Sequence, residues 1–181
     1  MKIRYNAPII LTYTLFCIGV LFVDTLTGHQ ITRRFFMVYS FPVLSDPVQY
    51  FRMFSYIIGH ANWSHLAGNF SIILLIGPLL EEKYGSAKLF EMIIFTAVIT
   101  ALLNMILFHS GLLGASGIAF MLILLGSFSN IRAGEIPLTF MIVAALFLGN
   151  EVFKSLNSDN ISQFSHIIGG IVGAIYGFLR R

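Results

Sequence analysis

The chain has 181 residues, of which 57% are hydrophobic and only 10% are charged, and its formal net charge is +3. A water-soluble domain of this length carries far more ionisable side chains on its surface, and a disordered chain is poor in apolar residues. Its one cysteine cannot form an internal disulfide scaffold. The composition therefore indicates a polytopic membrane protein.

Six apolar segments approach the roughly 20 residues that a helix needs to cross the hydrocarbon core of a bilayer. They are expected to be helices, because lipid offers no partner to unpaired backbone groups and the apolar runs lack the alternation of a barrel. The first segment is interpreted as a span rather than as a signal peptide, since no convincing small-x-small cleavage site follows it. The sequence predicts an all-α bundle of six transmembrane helices in a single domain, residues 1–181. The predicted spans are Pro8–Leu26, Trp63–Leu80, Leu89–Phe108, Gly111–Ile131, Ile136–Phe153 and Ile161–Leu179.

The basic residues predict the orientation of these spans, because Lys and Arg in short loops stay on the cytoplasmic side. Most of them fall on one side, which places both termini in the cytoplasm. This bias and the attraction of anionic headgroups explain the positive charge, so we expect the lipid bilayer and no nucleic acid as a partner. The residues on the cytoplasmic side are Lys2, Arg4, Lys83, Lys88, Arg132, Arg180 and Arg181.

The first loop, residues 28–62, does not span the membrane but contains eight aromatic side chains. Pro42 and Pro47 interrupt it, so we expect short amphipathic pieces that lie in the membrane interface, with Arg33, Arg34 and Arg52 extending to headgroups. An aromatic belt and a role in admitting substrate are equally consistent with this composition.

Polar side chains inside membrane helices are costly and tend to mark function. His65 and Asn69 in the second predicted helix, Ser116 in the fourth and His166 in the sixth all lie near the same end of their helices. If the fourth helix begins near Gly111, Ser116 lies roughly 7 Å into it, and the other residues lie at comparable depths. The sequence therefore predicts one layer that contains a hydroxyl, an imidazole and an amide.

This set is what nucleophilic catalysis requires, because serine attacks well only when a neutral histidine takes its proton. Ser116 is flanked by Gly114 and Gly117, and these small residues allow another backbone to approach its hydroxyl. The N–H groups at a helix start could also hold a developing oxyanion. The pattern favours Ser116 as nucleophile and His166 as base.

The last predicted helix carries glycines on the face of His166, at positions 169, 173 and 177. A stripe of small residues lets two membrane helices approach almost backbone to backbone. Alone, such a stripe more often indicates packing than catalysis. Opposite a serine flanked by glycines, it favours a short contact between Ser116 and His166.

His65 and Asn69 are spaced i, i+4 and so share a helical face, from which both can donate to an anionic oxygen. The alternative is that they only tie the long loop to the bundle. His60 is expected in the loop as a structural anchor. A metal site is the competing use of these histidines, but there is no HExxH motif and the i, i+5 histidine pair is badly spaced for zinc. We therefore expect no metal.

Three motifs resemble those of the rhomboid intramembrane serine proteases in their minimal six-helix bacterial form. HANWSHLAGN at 60–69 fits the pattern HxxxxHxxxN, GASG at 114–117 fits GxSG, and HIIGGIVG at 166–173 fits the pattern of the last helix. EEKYGS at 81–86 is similar to the cytoplasmic turn after the second helix of that family. Together the motifs extend over essentially the whole chain.

The resemblance implies a rhomboid-type fold and a dyad of Ser116 and His166, with His65, Asn69 and the Ser116 N–H as the oxyanion site. It implies cleavage of other proteins' transmembrane helices, no cofactor, and a site that opens to the outside of a bacterial plasma membrane. Supporting and packing roles would fall to Gly114, Gly117, Phe120, Gly169, Gly173 and His60.

Some positions depart from the family pattern. Phe120 stands where relatives usually have tyrosine, Phe51 stands for tryptophan before Arg52, and Ser165 stands for alanine. None of these changes removes a reacting group. Two other hypotheses are an inactive family member that only binds membrane helices, and a small transporter or channel, which would be expected to have charge pairs or broken helices at mid-membrane.

Overall fold

The computed structural model describes residues 3–39, 45–107, 111–128 and 161–179, together with helical residues at 138, 141–142 and 145–146. The side chains of residues 161–164, 166, 177 and 178 are not part of this description. The described ranges contain seven delimited helices and no strand. These helices are α1 (Pro8–Leu26), α2 (Gln30–Phe35), α3 (Pro47–Ser55), α4 (Trp63–Tyr84), α5 (Ser86–Leu107), α6 (Ser116–Phe128) and α7 (Ile161–Leu179).

Three of these helices, α1, α4 and α5, are long and apolar enough to cross a membrane, with 19, 22 and 22 residues. At about 1.5 Å per residue they are roughly as long as the hydrocarbon core is thick. Shorter apolar stretches lie at Ser116–Ser127 in α6 and Ile167–Tyr176 in α7. The prediction of an all-helical membrane protein is confirmed. The count of six spans stays a prediction, since most of 136–153 lies outside the described residues.

Glu81 joins three helices at one end of the bundle. Its buried carboxylate accepts hydrogen bonds from the backbone N–H groups of Ile9 and Ile10 at 2.9 and 3.0 Å, and from the Ser86 hydroxyl at 2.6 Å. The first N–H groups of a helix have no partner within it and carry partial positive charge, so a carboxylate there satisfies both needs. Glu81 thereby ties the start of α1 and α5 to the end of α4.

The described part of the first loop contains the two short helices α2 and α3. Their position in the membrane interface stays a prediction. Arg33 and Arg34 are exposed, but the expectation that Arg52 extends to headgroups is wrong. The Arg52 side chain is only 14% exposed, because its Nε donates to the Arg34 carbonyl at 2.8 Å and its guanidinium pairs with Asp46 at 3.1 Å. Arg52 therefore holds α2 and α3 together.

The fourth predicted span does not begin at Gly111, because α6 begins at Ser116. Leu112 is instead paired with Val38 of the first loop through two backbone hydrogen bonds of 2.9 Å. Gly114 then adopts a φ of +113°, which is incompatible with an α-helix. As a result Ser116 lies in the first turn of its helix, and not roughly 7 Å into it as predicted.

Candidate active site

Ser116 is held at the start of α6 by contacts from the first loop. The N–H of Gly114 donates to the Tyr56 carbonyl at 3.0 Å, and the bridge between Leu112 and Val38 lies just before it. The Ala115 carbonyl accepts the N–H of Ala119 at 2.9 Å, which starts the helical hydrogen-bond pattern. Because the N–H groups of a first turn have no partner within the helix, this position suits a developing oxyanion.

His65 and Asn69 of α4 lie against the segment that precedes Ser116. A Cβ placed on Gly114 would be only 2.9 Å from His65 Nε2 and 3.8 Å from Asn69 Nδ2. Contacts below 3.0 Å are essentially absent at real Cβ atoms, so the His65 ring would have to shift, and the φ of +113° at Gly114 is strained for any residue with a side chain. The predicted common face of His65 and Asn69 therefore contacts the GASG segment.

His60 lies beside these two residues, buried, with its ring centroid 5.1 Å from that of His65. Its Nδ1 donates to the Ile58 carbonyl at 3.0 Å, since a carbonyl can only accept. In a neutral imidazole the other nitrogen then accepts, and Asn69 Nδ2 lies 3.2 Å from His60 Nε2. Burial lowers the pKa of His60 from 6.5 to about 4, so the ring is neutral at physiological pH.

The helices α6 and α7 are in backbone contact along the predicted glycine stripe. A Cβ on Gly169 would overlap the Gly117 carbonyl, and one on Gly173 would overlap the Met121 carbonyl. A Cβ on Gly117 would lie 3.1 Å from the Ser165 carbonyl oxygen. The predicted close approach of the two helices is therefore present at Gly169 and Gly173.

His166 is a residue of α7 that directly follows Ser165. Its side chain lies outside the described residues, so its predicted contact with the Ser116 hydroxyl stays a prediction. Phe120 is buried at 4% exposure, and its ring covers the position that a Cβ on Gly170 would take. The ring thus packs against α7 four residues after His166.

The sequence pattern does not reveal the contribution of Tyr56 to this site, nor the partner of His60. Tyr56 is a buried residue of the loop whose carbonyl holds Gly114 and whose hydroxyl donates to the Ala97 carbonyl at 3.3 Å. His60 is predicted as an anchor in the loop with a supporting role, and its contact with Asn69 places it next to the candidate site. Spacing along the chain does not reveal either contact, because the partners are 58 and nine residues away, respectively.

The competing metal interpretation gains no support from the described ranges, in which no three metal-ligating side chains lie together. His60 and His65 meet edge to face, and His60 already uses both ring nitrogens. The expectation of a reaction without metal or cofactor stays a prediction.

Comparison with known proteins agrees with the family resemblance of the three sequence motifs. The model of the family described as Rhomboid domain matches residues 47–181. The chain is 22% identical to Rhomboid-like protein 11, chloroplastic, of Arabidopsis thaliana, over 90% of this chain and 61% of that protein. It is 25% identical to Rhomboid-related protein 1 of Caenorhabditis elegans, over 71% of this chain and 39% of that protein. It is 23% identical to Rhomboid protease GlpG of Haemophilus influenzae, over 71% of this chain and 68% of that protein.

Proposed function

Because the chain belongs to the rhomboid family, we propose that it is an intramembrane serine endopeptidase that hydrolyses peptide bonds in or near the transmembrane helices of other membrane proteins. Ser116 serves as the nucleophile and His166 as the general base, without metal or cofactor. The name of the Haemophilus relative, a protease 23% identical to this chain, supports the same reaction class.

The observation that carries the proposal is the contact between the backbones of α6 and α7. The two residues in contact, Gly117 and Ser165, are the immediate chain neighbours of Ser116 and His166. A hydroxyl and an imidazole must come within about 3 Å to exchange a proton. Because Gly117 and Ser165 are each one residue away from these groups, their contact allows the Ser116 hydroxyl and the His166 imidazole to come within this distance.

The oxyanion site consists of His65, Asn69 and the N–H of Ser116. All three belong to segments that meet at Gly114, whose missing side chain leaves room for the His65 ring. The hydrogen bond from Asn69 to the neutral His60 orients the amide, and the second amide hydrogen remains for the substrate. Donors held in place before the reaction stabilise developing charge without reorganisation.

The reaction begins when the Ser116 Oγ attacks the scissile carbonyl carbon while its proton passes to His166. The carbonyl π-bond opens and leaves a negative oxygen at the oxyanion site. Collapse of this intermediate breaks the C–N bond, and His166 gives its proton to the leaving amine. Water then attacks the acyl-enzyme, with His166 again as base, and releases the carboxylic acid and free Ser116.

Substrates would be transmembrane proteins, since α1, α4 and α5 are long and apolar enough to cross a bilayer and family members act within the membrane. We assign both termini to the cytoplasm and the site to the outer side of the membrane, based on the bias of basic residues. The resemblance of the motifs to the minimal bacterial form of the family supports a bacterial plasma membrane. In this orientation Glu81 lies at the cytoplasmic end and Ser116 near the external end.

A fluorophosphonate probe, which reacts with activated serines, tests the proposal. We expect labelling of the purified wild-type protein, no labelling of Ser116→Ala or His166→Ala, and wild-type labelling of Ser71→Ala. Ser71 is a suitable control because it is exposed on α4 and its hydroxyl donates to the Ala67 and Gly68 carbonyls of its own helix. Cleavage of a single-span substrate should follow the same pattern. Full cleavage by Ser116→Ala would overturn the proposal, and absence of labelling in a folded wild type would favour an inactive helix-binding member of the family.

A further inference from the structure

An apolar cleft of about 210 Å³ lies between α1, the segment that follows α3, and α5. Phe16, Phe54 and Phe90 stand at its rim and are 57%, 41% and 50% exposed. Ile57 and Ile58 of the loop line its interior. The cleft is separate from the proposed active site, which lies between α4, α6 and α7.

The two hydroxyl groups on the cleft wall are already engaged in hydrogen bonds. The Tyr13 hydroxyl donates to the Ile57 carbonyl at 2.7 Å, and the Thr12 hydroxyl lies 3.0 Å from that of Tyr5. A buried water needs two to four polar partners, and apolar cavities of about 150 Å³ stay dry and bind hydrocarbon molecules. The chemistry of the cleft therefore selects a hydrocarbon occupant.

The walls of the cleft are continuous with the surface that faces lipid. Both α1 and α5 are long and apolar enough to span the bilayer, and Phe16 and Phe90 belong at once to the cleft rim and to the exposed faces of these helices. We propose that one acyl chain of a bilayer phospholipid occupies this cleft. Transfer of a chain from lipid gains no hydrophobic energy, so the gain comes from dispersion contacts that an unfilled cleft lacks.

The position of the cleft links this lipid to the proposed active site. The Ile57 carbonyl accepts a hydrogen bond from the Tyr13 hydroxyl, and the Ile58 carbonyl accepts one from the ring N–H of His60. Residues that line the cleft therefore also hold His60 next to Asn69. A bound acyl chain would restrain the segment from Ile57 to His60 on the side that lines the cleft. This consequence for catalysis rests on the proposed function, whereas the lipid site itself does not.

A phospholipid with a photoactivatable diazirine in its acyl chain tests the site in vesicles of phosphatidylcholine. In the wild-type protein we expect cross-links at Ile57 and Ile58 in addition to open faces such as Leu79, which is 66% exposed. Ile57 is only 4% exposed, so a chain that merely coats the surface reaches it poorly. Cross-links restricted to the open faces, or cross-links to a second copy of the chain at the cleft, would overturn the proposal.

A variant whose cleft is filled by a larger side chain provides the matched comparison with the wild-type protein. Ile94 lines the cleft, and Ile94→Trp should abolish the cross-links at Ile57 and Ile58 while those at Leu79 remain. Ile106→Trp makes the same change on α5 at a residue that is 73% exposed, and it should retain both sets. Unchanged cross-links in a folded Ile94→Trp would contradict the site. If that variant does not fold, the wild-type map decides alone, and fluorophosphonate labelling of the same vesicles reports separately on the proposed function.

Discussion

Substitution of Gly169 by alanine tests whether the contact between α6 and α7 sets the geometry of the site. The added Cβ would overlap the Gly117 carbonyl, which is backbone and cannot rotate away. To reach an ordinary contact of 3.4 Å, α7 must move away from α6 by more than about 1 Å. A misplacement of roughly 1 Å costs on the order of 100-fold in rate, and overpacking destabilises by about 1–3 kcal/mol.

The rate of cleavage of a reconstituted single-span substrate and the unfolding midpoint in detergent measure the two effects of Gly169→Ala. Gly19→Ala in α1 is the control, since a Cβ there has nothing within 4 Å and alanine favours a helix by up to about 1 kcal/mol. The control should therefore retain activity and stability. Wild-type activity and stability in Gly169→Ala would refute the hypothesis that backbone contact between the helices positions the proposed dyad of Ser116 and His166.

The remaining predictions concern the supporting residues. For His60, the unfolded state binds a proton below its pKa of 6.5 while the folded ring stays neutral down to about pH 4. Stability should thus be complete above pH 6.5 and fall by about 3 kcal/mol as the pH falls towards 4, and His60→Leu should remove this part of the slope in pH-dependent unfolding curves. Glu81→Ala leaves three donors without this acceptor, one of them buried and two partly buried, and should lower stability by about 3 kcal/mol in thermal unfolding, whereas Glu82→Ala at an exposed position should change it little; equal effects would contradict the role of Glu81. Gly114→Ala places a Cβ at a positive φ against the His65 ring and should slow cleavage on the order of tenfold or more, and a wild-type rate would count against this contact.

The start of α6 illustrates what the apolar pattern alone could not predict. The run from Gly111 onward is apolar, so it was predicted as one span, but the helix begins at Ser116. In the segment before it, Leu112 is bonded to Val38 and Gly114 to Tyr56, and both partners are distant in sequence. Because those partners lie in the first loop, hydropathy contains no signal of the boundary.

His60 and Asn69 illustrate the same limit within the site. The i, i+4 spacing placed His65 and Asn69 on one face, because helix geometry alone determines it. The bond between Asn69 and His60 depends on how the loop turns back at Ile58, and its 3.2 Å distance exists only in the folded molecule. The sequence therefore predicts the residue types of the proposed site but not their hydrogen-bond partners.

The sequence by itself determined that the chain is a helical membrane protein and, to within four residues at each end, where its first three long apolar helices lie, because lipid requires each segment to satisfy its own backbone whatever its neighbours are. It also determined which helix faces are small enough for close packing, since the glycine stripe is a periodic local feature. The tertiary structure alone decided which backbone meets which stripe, as in the contact of Gly169 with Gly117. Such contacts depend on the register between helices, and packing of the whole bundle, not any one segment, selects that register.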